Sequence, residues 1–208
     1  MNKGELSEFE TLWRAGDKTY PVSKFLAADI TISVVELDNR WRTWTVEEKG
    51  RFASAYSAKP ELHEEDYRVL EFLMEKGEPG IWSSIVLMLT KHPDRGRMLK
   101  FVLTRIEAGD IPLANYYQAL ARFNHPAAVP LLERMYSFHQ EQIDSVKILN
   151  SFEDIFPYVD YIACCAALVK IRGGDKYITS ITKLLNHPDE RVRHQARLIP
   201  TVLGLELG

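Results

Sequence analysis

Between positions 61 and 76 the stretch ELHEEDYRVLEFLMEK sets Tyr67, Leu70, Leu73 and Met74 on one stripe at helical spacing, with charges filling most other positions. That is the pattern of an amphipathic helix that buries one side. Gly77 ends it. Pro79 then falls where the first turn of a second helix belongs, since its missing N–H removes no internal hydrogen bond there, and Ile81, Trp82, Ile85 and Leu89 supply the next apolar face. The arrangement recurs: Pro93 opens a helix that Gly109 terminates, and Pro112 starts a partner carrying Leu113, Tyr116, Leu120 and Phe123.

The recurrence is periodic. Pro60, Pro93, Pro126, Pro157 and Pro188 are separated by 33, 33, 31 and 31 residues, a spacing that fits two helices and a turn per unit. Glycine falls 17, 16 and 16 residues after the proline at Gly77, Gly109 and Gly173, where a left-handed C-terminal cap is expected. The Pro126 unit departs from the rule. PAAVPLLERMYSFHQ predicts its first helix and IDSVKILNSFEDIF a looser second one over 143–155. Before Pro60 the phase is lost, although helices are predicted over 6–15, 23–38 and 45–58, with Thr45 and Glu48 forming a capping box. The segment ADITISVVELDN is rich in β-branched residues, but its helical surroundings favour helix over strand. The reading is an all-α chain: residues 1–59 form an irregular helical N-terminal cap, and 60–208 form stacked helical hairpins that begin near 60, 93, 126, 157 and 188. Terminal units of such stacks are irregular because one face meets solvent.

The run ITKLLNHPDERVRHQARLIPTVLG resembles the HEAT repeat, in the short form of bilin-lyase-like proteins, with Leu184, Leu185, Asp189, Val192, Arg193 and Ala196 at the matching positions. Earlier units keep only fragments, such as Lys91-His92-Pro93-Asp94 and Asn124-His125-Pro126, and Met98 and Leu131 stand where the arginine belongs. The strings that mark ankyrin and tetratricopeptide repeats are absent. The resemblance implies a right-handed α-α superhelix. It also implies that the helix bearing Asp-x-x-Val-Arg is the outer one, so that helices at 80–91, 112–123, 143–155 and 175–186 line a concave face. Off the apolar stripes of those helices stand Ser84, Leu87, Asn115, Gln118, Arg122, Lys147, Thr179 and Lys183, the candidate partner-binding residues.

A net charge of −3 over 208 residues supplies no general attraction to nucleic acid or to an anionic membrane. The longest apolar runs, 85–89 and 162–169, fall well short of the roughly 20 residues of a membrane span. Glu5, Glu8 and Glu10 occupy a start where a secretory signal needs a cation and an apolar run; the expected location is the cytoplasm. Charge alternates along the array, from acidic around 61–78 to basic around 91–105, then acidic around 133–160 and basic around 170–197. Attraction between neighbouring layers explains this better than a nucleic-acid track, at about 0 to 1 kcal/mol for each exposed pair.

Candidate chemistry is sparse. His92, His125 and His187 each precede a repeat proline, but helix layers roughly 10 Å apart cannot share an ion that needs ligands at about 2 Å, so capping and turn roles are expected. His63, Glu64, Glu65 and Asp66 read as a first turn that offsets the helix dipole. Cys164 and Cys165 are adjacent and read as small core residues. Trp41 and Trp44 flank Arg42 and Thr43 and fit either an interface hot spot or the seal of an open stack end. No His-Glu-x-x-His, nucleophile-elbow, phosphate-loop or dinucleotide pattern occurs.

The function read from these features is a non-enzymatic module that holds a protein or peptide on its concave face, with no catalytic residues, metal or cofactor. Two alternatives accompany it. One is an enzyme on a HEAT scaffold, either bilin-lyase-like or a DNA glycosylase with Trp82 and Asp110 as the nearest offerings. The other is a stoichiometric inhibitor of the immunity type.

Overall fold

The computed structural model describes residues 5–15, 22–23, 30–109, 113–145, 149–151 and 153–205. Every regular element among them is helical, as the period of the apolar positions requires. The chain divides into two compact units, 1–93 and 94–208, so the expected cap boundary at 59/60 lies inside the first of them.

The first unit holds α1 (Glu5–Arg14), α2 (Val34–Trp41), α3 (Val46–Ser57), α4 (Glu64–Lys76) and α5 (Pro79–Leu89). Its main packing joins α3 to α5, with α4 against α5 and α2 against α4. The capping box at the start of α3 forms as expected, with Glu48 N–H donating to Thr45 Oγ1 at 3.2 Å and Thr45 N–H to Glu48 Oε2 at 2.8 Å. The single helix predicted over 23–38 does not form. Residues 30–33 are non-helical, with Ile30 and Ile32 buried, and α2 begins only at Val34. Gly77 also differs from expectation. Its φ of −79° is not left-handed; glycine is required because a Cβ there would lie 2.3 Å from the Leu73 carbonyl oxygen. Gly109 and Gly173 do take positive φ, +78° and +76°, where glycine is favoured, but Gly173, with ψ −173°, does not form a left-handed cap.

Trp41 and Trp44 are each 5 % exposed. They pack with Phe52, Tyr56 and Phe72 in an aromatic cluster, Trp41 edge-on to Phe72 at 5.6 Å and Trp44 tilted on Phe52 at 5.3 Å. The indole N–H of Trp44 donates to Glu10 of α1. Both tryptophans are therefore core residues, and the partner-binding role considered for them is corrected: buried rings closing the unit have no face to offer.

The second unit holds α6 (Arg95–Glu107), α7 (Ala114–Phe123), α8 (Val129–Ser145), α9 (Phe156–Arg172), α10 (Asp175–Leu184) and α11 (Glu190–Val202), with short 3-10 turns at Pro126–Ala128 and Glu153–Ile155. Helix α9 is its axis, packed against α7, α8, α10 and α11. Residues 161–168, YIACCAAL, are all buried, which is why this helix is apolar on every side rather than striped. Cys164 and Cys165 lie within this run as free thiols.

The helix expected over 143–155 is corrected. Helix α8 runs on to Ser145, and the chain at Asn150 and Ser151 is non-helical. Asp154 holds that turn, its Oδ2 accepting the N–H groups of Asn150 and Ser151 at 2.7 Å each; such local side-chain bonds compete with helix. Among the described residues the interval between Pro126 and Pro157 thus carries one long α-helix instead of two. Helix α9 packs on α7 and on α11. Helix α10 packs on α9 and α11 and reaches α8 through side chains, with Tyr136 edge-on to Tyr177 at 5.3 Å and Tyr136 Oη 3.1 Å from Ser180 Oγ.

Candidate functional site

Helix α8 carries two apolar stripes. Leu131, Leu132 and Tyr136 are buried in the unit core. Met135, Phe138, His139 and Gln142, at helical spacing, face a cavity of about 740 Å³ shared with Ile106 and Glu107 of α6, Leu113 before α7, and Phe156, Pro157 and Asp160 of α9. Phe138 and Phe156 stand 48 % and 43 % exposed among its lining residues.

Its polar groups are few and ordered. His139 is 1 % exposed. Its Nδ1 lies 3.2 Å from Gln142 Oε1, which can only accept, so Nδ1 carries the proton and Nε2 accepts from the Tyr117 hydroxyl at 2.8 Å. Burial holds the imidazole below its usual pKa, and so neutral. Burial also raises the Tyr117 hydroxyl, reinforced by the neighbouring Cys164 and Asp160. Asp160 accepts the N–H groups of Leu113 and Ala114 at the start of α7, but burial outweighs those bonds and pushes its carboxyl up to about 6. Arg134 and Glu107 pair at 3.2 Å. Perturbed groups converging in a mostly apolar cavity mark a candidate binding site.

A second, more polar cleft of about 470 Å³ lies between α8, α9 and α10. Helix α10 contributes Lys176, Thr179, Ser180 and Lys183, at spacings of three, four and seven that place them on one face. Its floor is the stacked pair Tyr136 and Tyr161, 5.4 Å apart. Lys176 Nζ sits 4.5 Å above the Tyr136 ring, the Tyr161 hydroxyl donates to Gln140 Oε1 at 3.0 Å, and Asp144 adds the carboxylate of the lining.

Of the candidate residues, the structure brings Thr179 and Lys183 together here. Asn115, Gln118 and Arg122 share a face of α7, with only Arg122 exposed. Ser84 and Leu87, half-buried on α5, belong to the first unit, where the Ser84 hydroxyl donates to its own helix at Gly80 O. Lys147 lies outside the described residues. So does Asp110, and Trp82 donates its indole N–H to Leu73 O at 3.2 Å. His125 and His187 take turn roles, each Nδ1 accepting the N–H two residues on, at 3.2 and 3.1 Å. His92 is buried edge-on to Tyr67.

Among the described residues no group of three or more His, Cys, Asp or Glu side chains is placed to hold a metal ion, and no helix is long and apolar enough to cross a membrane. The apolar cavity was not anticipated from sequence, although Asp160 is the lone charge in the run FPYVDYIACCAALV. A carboxylate amid apolar positions signals either a buried partner or a site. Compared with protein-family models, with curated proteins and with solved structures, the chain matches none.

Proposed function

We propose that the protein is a non-enzymatic binding module that holds a protein or peptide partner, and that the α8/α10 cleft takes an acidic segment of it. The observation that carries this reading is the convergence of Lys176, Thr179, Ser180 and Lys183 on one cleft, two of them residues expected from sequence. Two ammonium groups against one carboxylate, Asp144, leave the cleft a net cation. The tyrosine floor adds aromatic surface of the kind enriched where peptides pack. A HEAT-like right-handed superhelix is the finer architecture we propose, supported by the packing of α3 on α5 in one unit and of α7, α9 and α11 in the other.

The test is capture of partners from the native host by the full chain, compared with Lys176→Glu/Lys183→Glu. The double variant is expected to keep its helical circular dichroism and lose the partner. An unchanged set of captured proteins sinks the reading. Retention of duplex DNA in an electrophoretic shift, weakening steeply with salt, replaces it with the nucleic-acid alternative.

A further inference from the structure

We infer that the cavity between the end of α6 and the facing sides of α8 and α9 binds a small hydrophobic ammonium compound, its apolar body against Met135, Phe138 and Phe156 and its nitrogen on the Asp160 carboxylate. The site shares no lining residue with the α8/α10 cleft, so it stands or falls independently of the function proposed above.

Size sets the class of ligand first. About 740 Å³ falls within the ~300–1,000 Å³ of pockets that enclose small organic molecules. The lining then fixes the chemistry: Ile106, Leu113, Met135, Phe138, Phe156 and Pro157 offer apolar surface, so most of the ligand is hydrocarbon or ring. Charge decides the rest. Arg134 and Glu107 satisfy each other, and both His139 ring nitrogens are engaged by Tyr117 and Gln142. Asp160 is met, among the described residues, by the backbone N–H groups of Leu113 and Ala114 at the start of α7. A carboxylate accepts about four hydrogen bonds, more than those two N–H groups use, and Asp160 lines the cavity. A cation is the complement of this anion, and the exposed Phe138 and Phe156 rings add faces that attract an ammonium group.

Among the described residues, the charged and titratable groups around Asp160 are Glu107 on α6, Tyr117 on α7, Arg134 and His139 on α8, and Cys164 on α9 itself. Burial keeps His139 neutral, while the Asp160 carboxyl gains a proton as pH falls through about 6. Affinity for an ammonium ligand is therefore expected to decline from pH 7.5 to pH 5.

Isothermal titration of the full chain with 4-phenylbutylamine, 4-phenylbutanol and 4-phenylbutyrate tests the assignment. The amine is expected to bind about tenfold more tightly than the alcohol, the effect of one charge-assisted hydrogen bond, and the butyrate most weakly. Asp160→Asn is expected to bring amine and alcohol level. Phe138→Ala, at an exposed position, should weaken the amine several-fold without changing the circular dichroism. Equal binding of the three probes, no binding of the amine at millimolar concentration, or a preference surviving Asp160→Asn overturns the proposal. If Asp160→Asn fails to fold, the unmodified chain decides through the probe series and the pH profile. Nα-acetyl-lysine N-methylamide, which carries an ammonium group without the ring, is expected to compete poorly. Equal competition would make the occupant a peptide side chain and overturn the small-molecule assignment.

Discussion

Lys59 Nζ lies 2.6 Å from Asp66 Oδ1 where each side chain is only 1 % exposed. The ammonium group also donates to Asp66 Oδ2 at 2.7 Å and to the Ile30 carbonyl at 2.8 Å. Asp66 is completed by the Tyr56 hydroxyl at 2.6 Å and the His63 N–H at 2.7 Å. One carboxylate thus ties the start of α4 to the end of α3 and to the segment before α2.

Removing either partner strands the other charge in the core, and such single changes cost about 3–5 kcal/mol. Lys59→Met and Asp66→Asn are each expected to lower the urea midpoint of the first unit sharply. Lys59→Met/Asp66→Leu is expected to cost clearly less than the sum of the singles. Additive losses would mean that the pair is not coupled.

The acidic run from His63 to Asp66 was legible only as a helix start, which it is; the inward turn of Asp66 depends on Lys59 and Tyr56, which sit on another stretch of chain and leave no periodic trace. Element type was legible almost throughout because the apolar period is local. The order of elements was not. Asp154 binding back to Asn150 and Ser151 replaces a helix with a turn, so the second helix expected in the Pro126 unit is not seen among the described residues. Thr179 and Lys183 were found because they stand off an apolar stripe. Phe138 and Asp160 were missed because an aromatic on a helix and an acid in an apolar run each look like ordinary core features until a cavity lies beside them.

Trp44 separates a core tryptophan from an interface one. Its ring packs on Phe9, Trp41 and Phe52, and truncating an aromatic so enclosed costs about 3–5 kcal/mol. Trp44→Ala is expected to lower the melting temperature by many degrees. An unchanged melt with altered partner binding would restore the interface reading.

Asp160 carries a pH signature whose sign follows from its raised carboxyl, at about 6 against an ordinary 3.8. Between those values the folded chain holds more protons than the unfolded chain, so this group's contribution to stability decreases as pH rises from about 4 to about 6. The full excursion is on the order of 3 kcal/mol. Asp160→Asn cannot titrate, and other groups cancel in the comparison. The stability of the original chain minus that of the variant, measured by urea denaturation, is expected to fall between pH 4 and pH 7. A flat or rising difference would contradict the assignment.

The adjacent thiols should be chemically silent while the second unit is folded. Cys164 and Cys165 are both fully buried, and the Cys164 Sγ hydrogen points to the Leu132 carbonyl at 3.3 Å. Burial raises both thiols, Cys165 to about 12, and the nucleophile in thiol chemistry is the thiolate. An aromatic disulfide reagent at pH 8 is therefore expected to leave both unmodified in the native chain and to label both once denaturant unfolds it. Because reaction requires opening of α9 against its four neighbouring helices, the labelling rate should follow the equilibrium population of the open unit as denaturant is raised. Rapid labelling in buffer alone would show that α9 is not the buried axis of its unit, and the cavity built on Asp160 from that helix would lose its wall.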